Sequence, residues 1–222
     1  MASAIADILK KHNVDTSISN ITLLSIPRGG LVVADSIASI FSNIRYFDIV
    51  VPRKLTAPNN KEVSIGAIMD DGTTYVNQEL FSILEISNAY FEKEKAYQLE
   101  EIKRRRNEYL GNEGSNVTRA VHFKEIENNI ILLIDDGIAT GSTIIVAARW
   151  IRRFRPKLLI IAVPVGPRET LDRLRDEADI VEFFMTPRLS KFMAVGDYYQ
   201  SFYPITDEEV RTILLRKRVV PK

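Results

Sequence analysis

Residues 129–143, with the sequence NIILLIDDGIATGST, place an uninterrupted apolar run directly before two acids and a small-residue turn. The run Ile130–Ile134 predicts a strand covered on both faces, as strands of parallel sheets are. A helical pattern then extends from about Ser142 to Phe154. A strand, a tight turn and a helix in this order predict an open α/β sheet, whose ligands bind beyond the carboxyl ends of the strands. The turn between the strand and the helix is therefore the first candidate site.

The turn after the two acids consists mainly of small and hydroxyl-bearing residues: Gly137, Ala139, Thr140, Gly141, Ser142 and Thr143. Glycine lets the backbone approach a ligand closely. The N–H groups of residues 139–143 open a helix, where unpaired donors and the positive dipole end favour a phosphate. Asp135 and Asp136 would repel a bare phosphate, so their expected partners are vicinal sugar hydroxyls or a Mg²⁺ ion. Phosphate donors beside diol acceptors predict a ribose 5-phosphate site.

Other phosphate-binding loops fit this stretch less well. A Walker A loop needs Gly-Lys-Ser/Thr, whereas Gly141 is followed directly by Ser142. The G-x-G-x-x-G fingerprint of dinucleotide-binding folds is absent. A purely structural alternative is a strand-ending turn in which Thr140 or Ser142 caps the helix. The complete string favours a ligand site over that alternative.

Two further loops follow predicted strands. Residues 21–26 predict a strand that ends in Pro27-Arg28-Gly29-Gly30, before a helix over residues 31–41. The glycines expose backbone N–H groups, and an arginine can hold a phosphate with two hydrogen bonds. Residues 47–51 predict a third strand, ended by Pro52-Arg53-Lys54. The alternatives are a plain glycine-rich turn with a solvated arginine and an exposed basic turn.

Composition narrows the possible function classes. The 222 residues suit one domain with an elaboration, and the net charge of +1 gives no general attraction to nucleic acid or anionic membranes. The absence of cysteine excludes thiol nucleophiles and cysteine-ligated metals, and two distant histidines argue against a histidine-based metal site or triad. No signal peptide or apolar span is evident, so we expect a cytoplasmic protein.

Taken whole, residues 129–143 resemble the phosphoribosyl pyrophosphate (PRPP) binding motif of type I phosphoribosyltransferases. The resemblance extends over roughly residues 22–215. It is closest to a branch of predicted phosphoribosyltransferases with PRGG, RKL-AP, IGA, DDGIATGST and VG-YY-F elements. It implies a Rossmann-like parallel β-sheet flanked by helices, with a β-hairpin flexible loop, a helical insertion and a C-terminal hood. We expect one domain over residues 1–222, with its core at about 20–185, the hairpin and insertion at 56–119 and the hood at 186–222.

The resemblance also implies roles for single residues. Asp135 and Asp136 would hold the ribose hydroxyls and Mg²⁺, directly or through water. Ala139, Thr140, Gly141, Ser142 and Thr143 would bind the 5-phosphate. Arg28, Gly29 and Gly30 would form the pyrophosphate loop. Arg53 and Lys54 would face the leaving pyrophosphate, with Lys54 the better candidate to point inward.

The segment between the third strand and the central strand predicts two elaborations. Asp70-Asp71-Gly72 is a hairpin signal between residues 63–69 and 73–77. Residues 57–62 predict a polar, breaker-rich loop before it. In the resembled family the whole region of residues 56–77 is the flexible loop that closes over the reacting centre, and Lys61 and Glu62 could then reach the substrates. Residues 88–109 predict a charged helix that ends in a basic run at residues 103–106. Nucleic-acid binding is one reading of that run, and a solvated or dimer-facing helix with i,i+4 ion pairs is the favoured one.

Strands at residues 158–163 and 180–184 complete the predicted sheet, and an irregular aromatic segment follows at residues 186–203. Its candidates for contact with a planar acceptor base are Phe192, Val195, Tyr198 and Tyr199. An equally weighted alternative is a hydrophobic clasp over the edge of the fold. Residues 207–216 predict a closing helix capped by Thr206.

The implied activity is transfer of ribose 5-phosphate from PRPP to a nitrogenous base, with release of pyrophosphate. Arg28, Lys54 and Mg²⁺ would stabilise the departing charge. Hypoxanthine–guanine members carry an acid/base aspartate where this chain has Ala139. Adenine-type members share Ala-Thr-Gly at this place and take their acid/base group from the mobile loop, so the resemblance makes Glu62 the candidate for that role. The alternatives are a non-catalytic PRPP-sensing regulator and transfer to a non-nucleobase amine. We expect small-molecule substrates and a homodimer, with neither membrane nor nucleic acid as a partner.

Overall fold

The computed structural model describes residues 2–12, 21–41, 44–110 and 123–218. Its strands are β1 (Ile21–Ser25), β2 (Ile44–Ile49), β3 (Arg53–Ala57), β4 (Asn60–Ile68), β5 (Thr74–Val76), β6 (Ile130–Ile134), β7 (Leu158–Val165) and β8 (Ile180–Met185). Its α-helices are α1 (Ala2–Lys11), α2 (Gly29–Ala38), α3 (Gln78–Ile83), α4 (Asn88–Leu110), α5 (Phe123–Ile126), α6 (Ser142–Arg152), α7 (Arg168–Leu174) and α8 (Asp207–Arg218). Two short 3₁₀ turns, Leu189–Lys191 and Val195–Tyr198, lie between β8 and α8.

A five-stranded parallel sheet forms the centre of the fold, in the order β2-β1-β6-β7-β8. Every residue of β6 is buried, because helices cover both faces of the sheet. The predicted α/β sheet with flanking helices is therefore confirmed. The chain leaves β1 toward β2 and later continues from β6 toward β7, so the order reverses between β1 and β6. Loops diverge at such a switch point and leave a crevice beyond the carboxyl ends of the strands.

Register places the loops after β1 and β6 side by side. Ser25 pairs with Ile134 at the carboxyl ends of the two strands, and the Ile26 N–H donates to the Ile134 carbonyl at 2.9 Å. The loop with Arg28 and the loop with Asp135 therefore start at the same level of the sheet. Two motifs more than a hundred residues apart in sequence become neighbours in this way.

A second, antiparallel sheet of order β3-β4-β5 packs against α4 and α6. The hairpin predicted at Asp70-Asp71-Gly72 is confirmed, since it joins β4 to β5. Two details of the prediction are wrong. Residues 53 and 54 begin β3 rather than forming a turn, and residues 60–62 belong to β4 rather than to a loop. The strand pairing between β3 and β4 overrides the local polar pattern.

The charged helix predicted at residues 88–109 is confirmed as α4, in which Ile102 is fully buried. Its basic run is largely paired within the chain: Lys103 with Glu100, Arg104 with Glu101 and Glu108, and Arg106 with Asp70. The cap predicted for α8 is also confirmed. Thr206 Oγ1 accepts from the Glu209 N–H at 3.1 Å, and the Glu209 carboxylate accepts from the Thr206 N–H at 2.7 Å.

The sequence favours a loop at residues 111–116 and a short strand at residues 120–123, and of these residues only Phe123 lies within the described ranges. Phe123 itself begins α5. The proposed bounds of the core, insertion and hood stay a prediction. Within the described ranges, no helix is both long enough and apolar enough to cross a lipid bilayer.

Candidate active site

The loops after β1 and β6 approach each other closely at two glycines. A Cβ atom on Gly30 would lie 2.9 Å from the Asp135 Cα atom, and one on Gly29 would lie 1.9 Å from Asp136 Oδ2. The peptide bond between Pro27 and Arg28 in this loop is cis. The two predicted phosphate-binding stretches therefore form one continuous surface.

A cavity of ≈ 350 Å³ opens between these loops. The sequence-predicted residues that line it are Arg28, Gly29, Lys54, Asp135, Asp136, Ala139, Thr140, Gly141 and Thr143. Val195 and Phe202 of the C-terminal segment close one side. Cations, acids and backbone N–H groups thus surround one hollow, which is the combination that an anionic sugar phosphate requires.

The two acids are held in an environment that disfavours their charge. Asp135 is 9% exposed, and burial, followed by the neighbouring carboxylate of Asp136, raises the pKa of Asp135 well above its usual range. Burial also raises the pKa of Asp136. The Asp136 N–H donates to Asp135 Oδ1 at 2.9 Å, and the charge of Lys54 acts to lower the pKa of Asp135. A bound cation or a pair of hydroxyl donors would stabilise the charged form of these two carboxylates.

The carboxylates of these two acids are ligands of the type that a magnesium ion prefers. Mg²⁺ prefers oxygen ligands and usually takes one or two carboxylates, with water and substrate phosphates completing its octahedron. Asp135 and Asp136 supply two carboxylates beside the cavity. Among the described residues, no cluster of three or more histidine, cysteine, aspartate or glutamate side chains could hold a metal on its own. The donor set suits a metal that arrives with its substrate.

The phosphate-binding candidate is the turn into α6. Gly141 precedes the helix with φ +82°, a left-handed conformation that glycine adopts without strain. No side chain of the described residues caps α6, so its first N–H groups are left for another acceptor. The Ile138 N–H is already bound to the Val165 carbonyl at 2.9 Å. The backbone N–H groups of this turn that are available to a ligand therefore begin at Ala139.

Of the predicted cations, Arg28 and Lys54 line the cavity, whereas Arg53 does not. Arg28 also forms an ion pair with Asp207 at 3.7 Å. Arg53 instead donates from Nε to Gln98 Oε1 at 3.0 Å, and its burial there lowers the pKa of its guanidinium. Successive residues of a strand face opposite sides, so Lys54 can face the cavity only if Arg53 faces α4.

Among Glu62 and the predicted acceptor residues, only Val195 lines this cavity. Glu62 is exposed near the β3–β4 turn and does not line the cavity. Val195 packs over Gly137, and the Tyr199 hydroxyl donates to the Asp136 carbonyl at 2.5 Å. Phe192 and Tyr198 stack on each other, with 5.6 Å between their ring centroids. Neither lines this cavity or the second cavity described below.

A second cavity, of ≈ 280 Å³, shares Arg28, Gly29, Asp136 and Phe202 with the first. Its remaining wall includes Tyr199 and the segment from Ser201 to Ile205. Phe202 is thus the aromatic residue that borders both cavities, and it is not among the acceptor candidates predicted from the sequence. The segment has no helical or strand period. In the sequence, Phe202 differs from Phe192 only as the last position of the VG-YY-F element of the resembled branch.

The comparisons with known proteins agree with this geometry. The model of the phosphoribosyl transferase domain matches residues 1–189, which include both loops. The "Putative phosphoribosyl transferase Rv0571c" of Mycobacterium tuberculosis is 32% identical over 196 residues, which are 88% of this chain and 42% of that protein. This chain therefore spans less than half the length of that relative. The crystal structure of TT1426 from Thermus thermophilus is similar at a TM-score of 0.69 and 29% identity, covering 97% of this chain and 94% of that one.

The structural likeness to TT1426 confirms that the fold is one already found in a crystal structure. The family match covers the strand β6, the acids that follow it and the glycine-rich loop after β1. Because that match takes in most of the chain, this protein belongs to the phosphoribosyl transferase domain family.

Proposed function

We propose that this chain is a PRPP-dependent phosphoribosyltransferase that transfers ribose 5-phosphate to a nitrogenous base and releases pyrophosphate. One observation carries the proposal. The paired acids, the turn into α6 and the loop with Arg28 all line the same cavity at the switch point of the sheet. Diol acceptors, phosphate donors and a pyrophosphate clamp are the three groups that PRPP needs together.

Each part of the cavity has a role in the proposal. The carboxylates of Asp135 and Asp136 accept from the ribose hydroxyls, and the N–H groups at the start of α6 bind the 5-phosphate. Arg28 and Lys54 stabilise the negative charge that develops on the departing pyrophosphate. The base nitrogen attacks the anomeric carbon from the opposite face, so that the carbon–nitrogen bond forms as the carbon–oxygen bond breaks, and the proton of that nitrogen passes to solvent. No covalent enzyme intermediate is required.

A magnesium ion, when bound with PRPP, would neutralise part of the pyrophosphate charge. The chain's own residues provide the remaining help. Asp135 and Asp136 are the residues that would hold the ion, and the hydrophobic cover of Val195 and Phe202 limits water near the reacting carbon. Positioning and electrostatics are therefore expected to supply most of the rate acceleration.

The proposal specifies the acceptor only by its chemical class, a nitrogenous base. Ala139 occupies the place of the acid/base aspartate of hypoxanthine–guanine members, which counts against an oxopurine deprotonated by that residue. Glu62 lies outside the cavity, so its part as acid/base group stays a sequence-based prediction. The second cavity, with Tyr199 and Phe202 in its wall, is our candidate for the acceptor.

The test is pyrophosphate release with PRPP, Mg²⁺ and a panel of purines, pyrimidines and small amines. Release with at least one acceptor, and none without an acceptor, supports the enzyme. A regulator would instead bind PRPP, release nothing with any acceptor and bind an oligonucleotide in a salt-dependent way. The internal ion pairs of the basic run on α4 favour the enzyme. A protein with no calorimetric response to Mg²⁺ and PRPP would contradict both readings.

Lys54 and its neighbour Arg53 provide a matched pair for the pyrophosphate site. We expect Lys54→Ala to raise the KM for PRPP about tenfold, because a cation that faces the cavity is lost. Arg53→Ala should leave this KM within about twofold, because Arg53 binds Gln98 instead. Steady-state kinetics at varied PRPP measures both, with thermal melts as a folding control. Equal effects of the two substitutions would contradict the assignment.

Phe202 and Phe192 provide a second pair, for the acceptor. We expect Phe202→Ala to raise the KM for the acceptor about three- to tenfold, since a ring that borders both cavities is removed. Phe192→Ala, which breaks only the stack on Tyr198, should leave that KM unchanged. The affinity for PRPP serves as the control. If the Phe192 substitution has the larger effect, the acceptor lies elsewhere in the hood.

A further inference from the structure

The outer side of the phosphate-binding turn is attached to α7 by side chains that the proposed function does not use. Thr170, which is 1% exposed, donates from Oγ1 to the Ala139 carbonyl at 2.8 Å. Arg173, one helical turn further on, donates from Nη2 to the Thr140 carbonyl at 3.1 Å. It also approaches Thr170 Oγ1 at 3.4 Å. Two successive carbonyls of the turn therefore point toward α7.

Because of peptide geometry, these two contacts also fix the direction of the N–H groups on the opposite side of the turn. A trans peptide unit is planar, and its N–H points away from its C=O. Among the described residues, the only cis peptide is Pro27–Arg28, so the units that join Ala139, Thr140 and Gly141 are trans. With the carbonyls of Ala139 and Thr140 turned to α7, the N–H groups of Thr140 and Gly141 face away from it.

The methyl group of Thr170 restricts the turn as well. A Cβ atom on Gly141 would lie 3.0 Å from Thr170 Cγ2, so the side chain fills the space directly behind the left-handed glycine. Rotation of either peptide unit would break a hydrogen bond to α7. The N–H groups that the turn presents are thus held in place before any ligand arrives, and such preorganisation strengthens binding.

We propose that Thr170 and Arg173 are positioning residues that orient the N–H groups of Thr140 and Gly141 toward the 5-phosphate. This inference rests on the proposed function, because it concerns the same cavity. Neither residue touches the substrate. Their effect passes through the backbone, so they should control the affinity for the phosphate-bearing sugar and not the affinity for pyrophosphate.

Calorimetry with two probes, ribose 5-phosphate and inorganic pyrophosphate, tests the proposal. We expect Thr170→Val, which keeps the shape and removes the hydroxyl, to weaken ribose 5-phosphate about tenfold and leave pyrophosphate unchanged. Thr170→Ser, which restores the hydroxyl, should recover most of the affinity. Arg173→Ala should weaken ribose 5-phosphate about threefold. Arg175→Ala, which removes an exposed partner of Asp172, should have no effect on either probe.

The possible outcomes distinguish failure of the positioning role from failure of the proposed function. If the wild-type protein binds ribose 5-phosphate and Thr170→Val binds it equally well, the positioning role is overturned and the proposed function stands. If Thr170→Val weakens both probes equally, the substitution acts through general folding and the role is again overturned. Thermal melts, compared with those of the Arg175→Ala control, identify that case. A wild-type protein with no affinity for ribose 5-phosphate overturns the proposed function, and this inference with it.

Discussion

Replacing Asp135 with asparagine is expected to stabilise the ligand-free protein and to lower PRPP turnover by about a hundredfold. Asparagine has the same shape, and its Oδ1 can still accept from the Asp136 N–H. The substitution removes a buried charge next to a second carboxylate, and an uncompensated buried charge is unfavourable. We expect the melting temperature to rise by about 2–4 °C, which is about 1 kcal/mol for a domain of this size.

The pH dependence of this stabilisation has a definite sign. Because the pKa of Asp135 is raised in the folded protein, the folded state binds more protons than the unfolded chain above the ordinary value of 3.8. The stability that Asp135 contributes is therefore full below that value and is lost as the pH rises through the folded pKa. The advantage of Asp135→Asn over the wild type should be smallest near pH 4 and largest at neutral pH, as measured by thermal melts.

Asp71 offers a control of the opposite sign. Burial alone would raise its pKa, but hydrogen bonds from Thr73 and the charge of Arg153 hold the pKa of Asp71 below its usual range. Its contribution is present above the unfolded pKa and is lost as the pH falls through the folded one. Asp71→Asn should destabilise the protein at neutral pH and leave turnover unchanged. An Asp135 variant that behaves like this control would show that the acids of the cavity are structural.

Alanine at Gly29 or Gly30 is also expected to have a large effect on turnover. A Cβ on Gly29 would meet the Asp136 carboxylate, which must then rotate away, so we expect turnover to fall about a hundredfold with little loss of stability. A Cβ on Gly30 would meet the backbone of Asp135, which cannot move as easily. Gly30→Ala should therefore also destabilise the fold, by about 2 kcal/mol.

Gly72→Ala is the matched control for these two variants. No atom of the described residues lies within 4 Å of a Cβ at Gly72, but its φ of +85° is unfavourable for alanine. We expect a loss of about 1 kcal/mol in stability and no change in turnover. Denaturant unfolding and kinetics on the same samples separate the two effects. If all three variants keep wild-type turnover, the close approach of the two loops has no functional meaning.

Much of the site was predictable because its signals are local. The run Ile130–Ile134 could only be a buried strand, and the acids and small residues after it stand in one short stretch of chain. The same holds for Arg28 with its two glycines. Both stretches follow strands of the predicted open sheet, so both were expected at its carboxyl edge.

Other positions had no local signal. Arg53 and Lys54 are both cations at one place in the chain. The resemblance favoured Lys54 as the inward-facing residue, and only the packing of β3 on α4 gives the physical reason, since Arg53 binds Gln98 there. Phe202 differs from Phe192 in sequence only as the last position of the VG-YY-F element, and the path of the C-terminal segment brings its ring to both cavities. Thr170 lies in an ordinary helix start, and its role depends on a contact 31 positions away along the chain.

The sequence by itself determined the order of strands and helices and the chemistry gathered at the end of β6, since apolar periodicity and turn residues act over a few neighbouring positions. Only the tertiary structure decided which side chains reach the cavity, because that depends on strand register, on the face that each residue of a strand presents and on the space left behind each loop. These are long-range packing relations, and they have no counterpart in the pattern of nearby residues.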